Sequence, residues 1–72
     1  MEDRVLGMAL TGGLRPQADV AETAQRIVAM TGVRTPIQRA LGRVRRSTAL
    51  RSSPVAARAE DALLEALTLI ER

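Results

Sequence analysis

The chain contains no Phe, Tyr or Trp among its 72 residues, so its core must be built from aliphatic side chains. Only 21 residues are Val, Ile, Leu or Met, and a further twelve are Ala, whose methyl group fills little volume. A domain of this size has a marginal core even with larger side chains. We therefore expect the chain to gain stability by forming a homo-oligomer or by docking on a larger protein.

Three stretches carry helix-start signals followed by apolar residues at helical spacing, and no stretch alternates as a β-strand does. Asp19, Thr35 and Ser53 are the predicted N-caps, and Pro follows the last two at the first helical position. The sequence therefore predicts an all-α fold, a small bundle of three helices. The predicted helices span about 19–31, 35–48 and 53–71.

Finer signals support the same helices. Glu22 and Gln38 lie three residues after Asp19 and Thr35 and complete capping-box patterns. Gly32 is the predicted stop of the first helix, because glycine readily adopts the left-handed conformation after a last turn. The predicted apolar stripes are Val20, Ala24, Ile27, Val28 and Thr31, then Ile37, Leu41, Val44 and Thr48, then Val55, Ala59, Ala62, Leu63, Ala66, Leu67 and Ile70.

The N-terminal residues give the weakest pattern. Their acidic start favours a short N-terminal helix through Leu10, which Gly12 and Gly13 would end. We expect an N-terminal segment, residues 1–16, that is either docked or mobile, followed by a single helical domain, residues 17–72.

The missing residue types exclude several kinds of site. With no His and no Cys, the chain has no imidazole base, no thiolate nucleophile and no nitrogen or sulfur metal ligand. We predict a non-enzymatic protein with no catalytic, cofactor or metal residues and no small-molecule substrate. The absence of cysteine, an acidic rather than basic N-terminus and short apolar runs predict a cytoplasmic protein outside membranes.

Charge is unevenly distributed along the chain. Residues 1–22 carry a net charge of −2 and residues 60–72 carry −3, whereas residues 23–59 hold eight Arg and no acid. The planar guanidinium of Arg suits carboxylates and phosphates. The predicted contacts for an acidic partner or nucleic acid are Arg34, Arg39, Arg43, Arg45, Arg46 and Arg51. Internal neutralisation by acids of the third helix, Glu60, Asp61 and Glu65, is the alternative.

Residues 27–46 also resemble a helix-turn-helix, because Gly32 lies in a short turn before an Arg-bearing second helix. Within them, residues 34–41 (RTPIQRAL) resemble the recognition-helix opening of GntR-type bacterial repressors. The turn is one residue shorter than in those repressors, and no winged hairpin follows. The resemblance implies a DNA-binding regulator, whereas an ordinary αα-hairpin explains the same residues.

The third predicted helix has an apolar arc wide enough to serve both the core and a partner. Its predicted helix-partner contacts are Leu63, Leu64, Leu67 and Ile70. We predict a small helical interaction protein that binds a larger protein or itself through this helix, with the Arg-rich central helix facing an acidic partner. The alternative is a DNA-binding regulator with a degenerate helix-turn-helix at 27–46.

Overall fold

The computed structural model describes residues 2–14, 19–47 and 53–72 and contains no strand among them. The predicted all-α class is therefore confirmed, with one helix more than the three that the sequence predicts firmly. The four helices within these described residues are α1 (Glu2–Leu14), α2 (Val20–Met30), α3 (Arg34–Arg46) and α4 (Pro54–Glu71).

The two central helices are α1 and α4, each of which packs against all three others. In contrast, no Cα atom of α2 lies within 8 Å of a Cα atom of α3. This places α2 and α3 on opposite sides of the central pair, in a bundle measuring 30 × 25 × 18 Å. The wide apolar arc of α4 is therefore used to contact three helices at once.

Each helix contributes one large, fully buried side chain to the core, and these are Val5, Ile27, Ile37 and Leu63. Of the thirteen buried apolar residues in the described part of the chain, seven are alanines, which lets the helices approach closely without aromatic side chains. The predicted apolar stripes lie inward in all three predicted helices, whereas Thr48 lies outside the described residues.

The sequence predicts that Gly12 and Gly13 end the first helix. In the structure both glycines lie inside α1, in its last turn. A Cβ atom added to Gly12 would lie 2.6 Å from Oγ1 of Thr23 in α2. A Cβ atom added to Gly13 would lie 2.6 Å from the backbone oxygen of Val55 in α4. Both glycines are therefore explained by the close approach of two other helices to the same turn of α1.

The N-caps of α2 and α4 are those predicted. Asp19 Oδ1 accepts a hydrogen bond from the Ala21 N–H at 2.9 Å, and Ser53 Oγ accepts one from the Val55 N–H at 3.2 Å. Within α2, Glu22 forms an ion pair with Arg26 at 3.0 Å, one turn further along the helix. These caps satisfy backbone donors that would otherwise be unpaired at the helix starts.

The link between α2 and α3 differs from its prediction. Thr35 does not cap α3, because the helix begins at Arg34 after Val33, which makes no side-chain cap. Instead, Thr31 Oγ1 accepts a hydrogen bond from the Val33 N–H at 3.2 Å. The chain leaves α2 in an extended conformation at Thr31, and Gly32 does not have the positive φ expected of a helix stop. This extended link carries α3 away from α2.

Candidate binding face on α3

The two sides of α3 have opposite character. Its inward side buries Ile37, Ala40, Leu41 and Val44, as expected from their helical spacing. Its outward side carries exposed arginines on either side of a half-buried glycine. We call this surface the arginine face; it consists of Arg39, Gly42, Arg43 and Arg46.

Arg43 lies at the edge of the arginine face next to α1. Its Nη1 donates to Asp3 Oδ1 at 2.6 Å and to Glu2 Oε2 at 3.2 Å. The hydrogen bonds to Asp3 and to Glu2 raise the pKa of the Arg43 guanidinium above its ordinary value. Both acids belong to the first turn of α1, where negative charge also favours the helix dipole. Arg43 therefore links the start of α1 to α3.

Two further arginines face α4. Arg45 donates to Glu60 Oε1 at 3.4 Å, and Arg34 lies 3.6 Å from Glu71 Oε1. The pairs join opposite ends of the two helices, which shows that α3 and α4 run antiparallel. Each arginine of these two pairs is more than half exposed, so each pair contributes at most about 1 kcal/mol to the free energy of unfolding.

Arg39 and Arg46 differ from the other arginines of α3. Neither lies within 4.0 Å of a carboxylate in the part of the chain that the structure describes. A Cβ atom added to Gly42 would lie 3.1 Å from Nη1 of Arg46. The Arg46 side chain therefore folds back along the helix toward Gly42. Arg51, also a predicted contact, lies outside the described residues. The middle of the arginine face therefore carries two cations that pair with no carboxylate of the described residues.

Internal neutralisation of the arginines is partial and uses a different set of acids from the predicted one. Of the three acids expected from the third helix, only Glu60 pairs with an arginine of α3. Asp61 and Glu65 make no ion pair among the described residues. Sequence reasoning missed the acids that do pair at the bundle ends, Glu2, Asp3 and Glu71, although the acidic N-terminus was a usable signal.

The predicted partner contacts on α4 divide into core and surface residues. Leu63 is completely buried, so its predicted partner contact is corrected to a position in the core. Leu67 and Ile70 are half-buried and pack against the same core. Leu64 is 38% exposed. Most of the apolar arc of α4 is therefore occupied within the monomer.

The expected helix-turn-helix is also corrected by the structure. A helix-turn-helix holds its two helices packed against each other, so that the second can lie in the major groove. Here α2 and α3 do not approach each other, and the αα-hairpin interpretation fails for the same reason. The similarity of residues 34–41 to repressor recognition helices is thus confined to sequence.

Residues 2–14, 19–47 and 53–72 present neither a candidate metal site nor a membrane-spanning helix. They contain no group of three acidic side chains placed to hold a metal ion. None of their helices has the length and apolar character needed to cross a membrane. In comparisons with known proteins, no family model, curated protein or solved structure matches this chain. Functional inference therefore rests on the arginine face.

Proposed function

We propose that this protein is a small, non-enzymatic helical module that binds an acidic segment of a larger protein along the arginine face. One observation carries the proposal. Among the residues that the structure describes, Arg39 and Arg46 are exposed without a carboxylate partner, whereas Arg34, Arg43 and Arg45 each have one. A guanidinium forms its strongest contacts with carboxylates and phosphates, because its planar fork donates two parallel hydrogen bonds.

The acids beside the arginine face favour a protein segment over nucleic acid. Glu2 and Asp3 border it on the α1 side, and Glu60 and Glu71 lie on the α4 side. If α3 entered a major groove, which is about 12 Å wide, the two phosphate backbones would approach these acids. A narrow acidic segment lying along α3 would instead meet chiefly Arg39 and Arg46. We therefore propose an acidic protein segment as the ligand, and the binding experiment below includes DNA as the competing possibility.

The contact through α4 is the weaker part of the proposal. It rests on Leu64, which lies between Asp61 and Thr68 on the exposed side of the helix. One partly exposed leucine buries too little apolar area to hold a partner alone, at roughly 25 cal/mol per Å². We therefore assign the main contact to α3 and treat Leu64 as a secondary point of contact, with a larger protein or with a second copy.

The test is fluorescence anisotropy with a labelled glutamate-rich peptide and a labelled DNA duplex, at low and at moderate salt. We expect the peptide to bind, and the double variant Arg39→Gln/Arg46→Gln to weaken its binding at least about tenfold, a loss of about 1.4 kcal/mol. The matched control is Arg26→Gln/Arg72→Gln, which removes the same charge from α2 and from the C-terminus. Leu64→Glu then tests the secondary contact in the same assay.

A failure of the glutamate-rich peptide to bind would reject the proposal, and so would either of two further results. Equal losses in the double variant and its control would mean that only net charge matters. Tighter binding of DNA that survives moderate salt and requires Arg39 and Arg46 would support the DNA-binding regulator instead.

A further inference from the structure

We infer that the segment bound by the arginine face is an α-helix whose acidic side chains are spaced seven residues apart, and that this helix lies along α3. The inference rests on the proposed function, because it assumes an acidic protein partner. It adds the conformation of the partner and the spacing of its acids.

The spacing follows from the positions of the two unpaired arginines. Arg39 and Arg46 are seven residues apart, which is about 10.5 Å along the helix axis at 1.5 Å per residue. Seven residues are also close to two full turns, so both side chains leave α3 in nearly the same direction. When both side chains extend outward from α3, a ligand that pairs with both arginines must therefore present two anions about this far apart on one side.

A helix matches this requirement and an extended strand does not. Two acids seven residues apart on a helix repeat the spacing of about 10.5 Å on one face. In a strand, residues on one face are separated by about 6.8 Å or 13.6 Å, because side chains alternate and each residue rises about 3.4 Å. The two residues of a strand whose distance comes nearest to 10.5 Å are three positions apart, and their side chains lie on opposite faces.

Gly42 adds a steric argument for a partner that approaches closely. It lies between Arg39 and Arg46 on the same side of α3, and the three side-chain atoms nearest to the position its Cβ would occupy all belong to Arg46. When Arg46 swings out to meet an acid, the backbone of α3 is left uncovered at this point. A small residue on the partner, midway between its two acids, can then pack directly on Gly42.

A second copy of this chain does not carry the required pattern. Its acids are at positions 2, 3, 19, 22, 60, 61, 65 and 71, and no two of them are seven residues apart. The pair nearest to this spacing on one helix, Glu65 and Glu71, is six residues or about 9 Å apart along the axis, and its side chains point about 120° apart around the helix. The pattern of the arginine face therefore fits a partner of different sequence.

The experiment is an NMR titration of the full isotope-labelled chain with three synthetic peptides, each about 20 residues of mainly alanine and glutamine, long enough to be helical. The first carries two glutamates seven residues apart. The second carries them nine residues apart, which puts them on opposite faces of a helix. The third keeps the seven-residue spacing but has a proline between the glutamates, which breaks the helix.

We expect the first peptide to bind at least about threefold more tightly than the others, since each exposed ion pair is worth only a fraction of a kcal/mol. We also expect its advantage to disappear in Arg39→Gln/Arg46→Gln, and the shifted resonances to lie on α3. Equal binding of all three peptides would overturn the helical spacing and leave the proposed function standing. Binding of none, together with no binding of the glutamate-rich peptide, would reject both.

Discussion

The glycines inside α1 and α3 have different structural roles. In the interior of a helix, glycine is ordinarily less favourable than alanine by about 1 kcal/mol. Gly13 in α1 lies under the backbone of α4, at a distance that admits no side chain. Gly42 in α3 lies under the flexible end of Arg46 on the outer surface. The first glycine is required by packing, whereas the second leaves a surface open. An identical substitution at the two positions should therefore have opposite effects.

The largest effect is expected from Gly13→Ala. Its Cβ atom would lie 2.6 Å from the backbone oxygen of Val55, so α1 and α4 would have to separate. We expect the free energy of unfolding to fall by about 1–3 kcal/mol, the usual range for overpacking. Chemical denaturation followed by far-UV circular dichroism measures it. In the control Gly7→Ala, the new Cβ meets nothing within 4 Å, and stability should rise by up to about 1 kcal/mol. Equal stability of the two variants would disprove the close approach of α1 and α4.

A smaller loss is expected from Gly12→Ala, because here the obstacle is a side chain. The new Cβ would lie 2.6 Å from Oγ1 and 2.7 Å from Cγ2 of Thr23, which Thr23→Ala removes. The double variant Gly12→Ala/Thr23→Ala should therefore lose less free energy of unfolding than the sum of the losses in the two single variants. The difference, which is the coupling energy, should be at least about 0.5 kcal/mol. Strict additivity in a double-mutant cycle would show that α1 and α2 do not meet at this pair.

A gain in stability is expected from Gly42→Ala. The Arg46 Nη1 atom, 3.1 Å from the new Cβ, is the far end of a long side chain and can move away. The free energy of unfolding should then rise by about 0.5–1 kcal/mol through helix propensity alone. The same denaturation assay measures it. A loss as large as that of Gly13→Ala would remove the contrast between the two helices.

The smallest effects on stability concern the arginines. Arg39→Gln and Arg46→Gln should change the free energy of unfolding by less than about 0.5 kcal/mol, because neither arginine forms an ion pair with the residues that the structure describes. Arg43→Gln should lower the melting temperature slightly, since Arg43 binds both Asp3 and Glu2. That difference should shrink in about 1 M salt, where the screening length falls to about 3 Å. Equal melting temperatures for all three variants at low salt would contradict a role of Arg43 in joining α1 to α3.

The fold class and most helix limits could be predicted from local signals. Asp19, Ser53 and the apolar spacing of Ile37, Leu41 and Val44 act within one helix, and the structure confirms each of them. Gly12 and Gly13 were misread because their local preference is to stop a helix, whereas their role here depends on α2 and α4. Close approach between helices is a tertiary property that helix propensity does not contain.

The candidate site was predicted in part for the same reason. Helical spacing is enough to place Arg39, Arg43 and Arg46 opposite the buried side of α3. Which arginines are neutralised depends on acids distant in sequence, as in the contact of Arg43 with Asp3. The same limit applies to Leu63 and Leu64, which are adjacent in sequence but differ in burial because other helices cover only one of them.

The central position of α1 has a consequence for the order of events during synthesis. Of the four helices α1 is made first, yet Val55, which lies against Gly13, follows that glycine by 42 residues. At about 5–20 residues per second, α1 must wait roughly 2–8 s for this contact to become available. A helix of 13 residues is only marginally stable by itself in water. Among these four helices, the one made first therefore waits longest for its final neighbour.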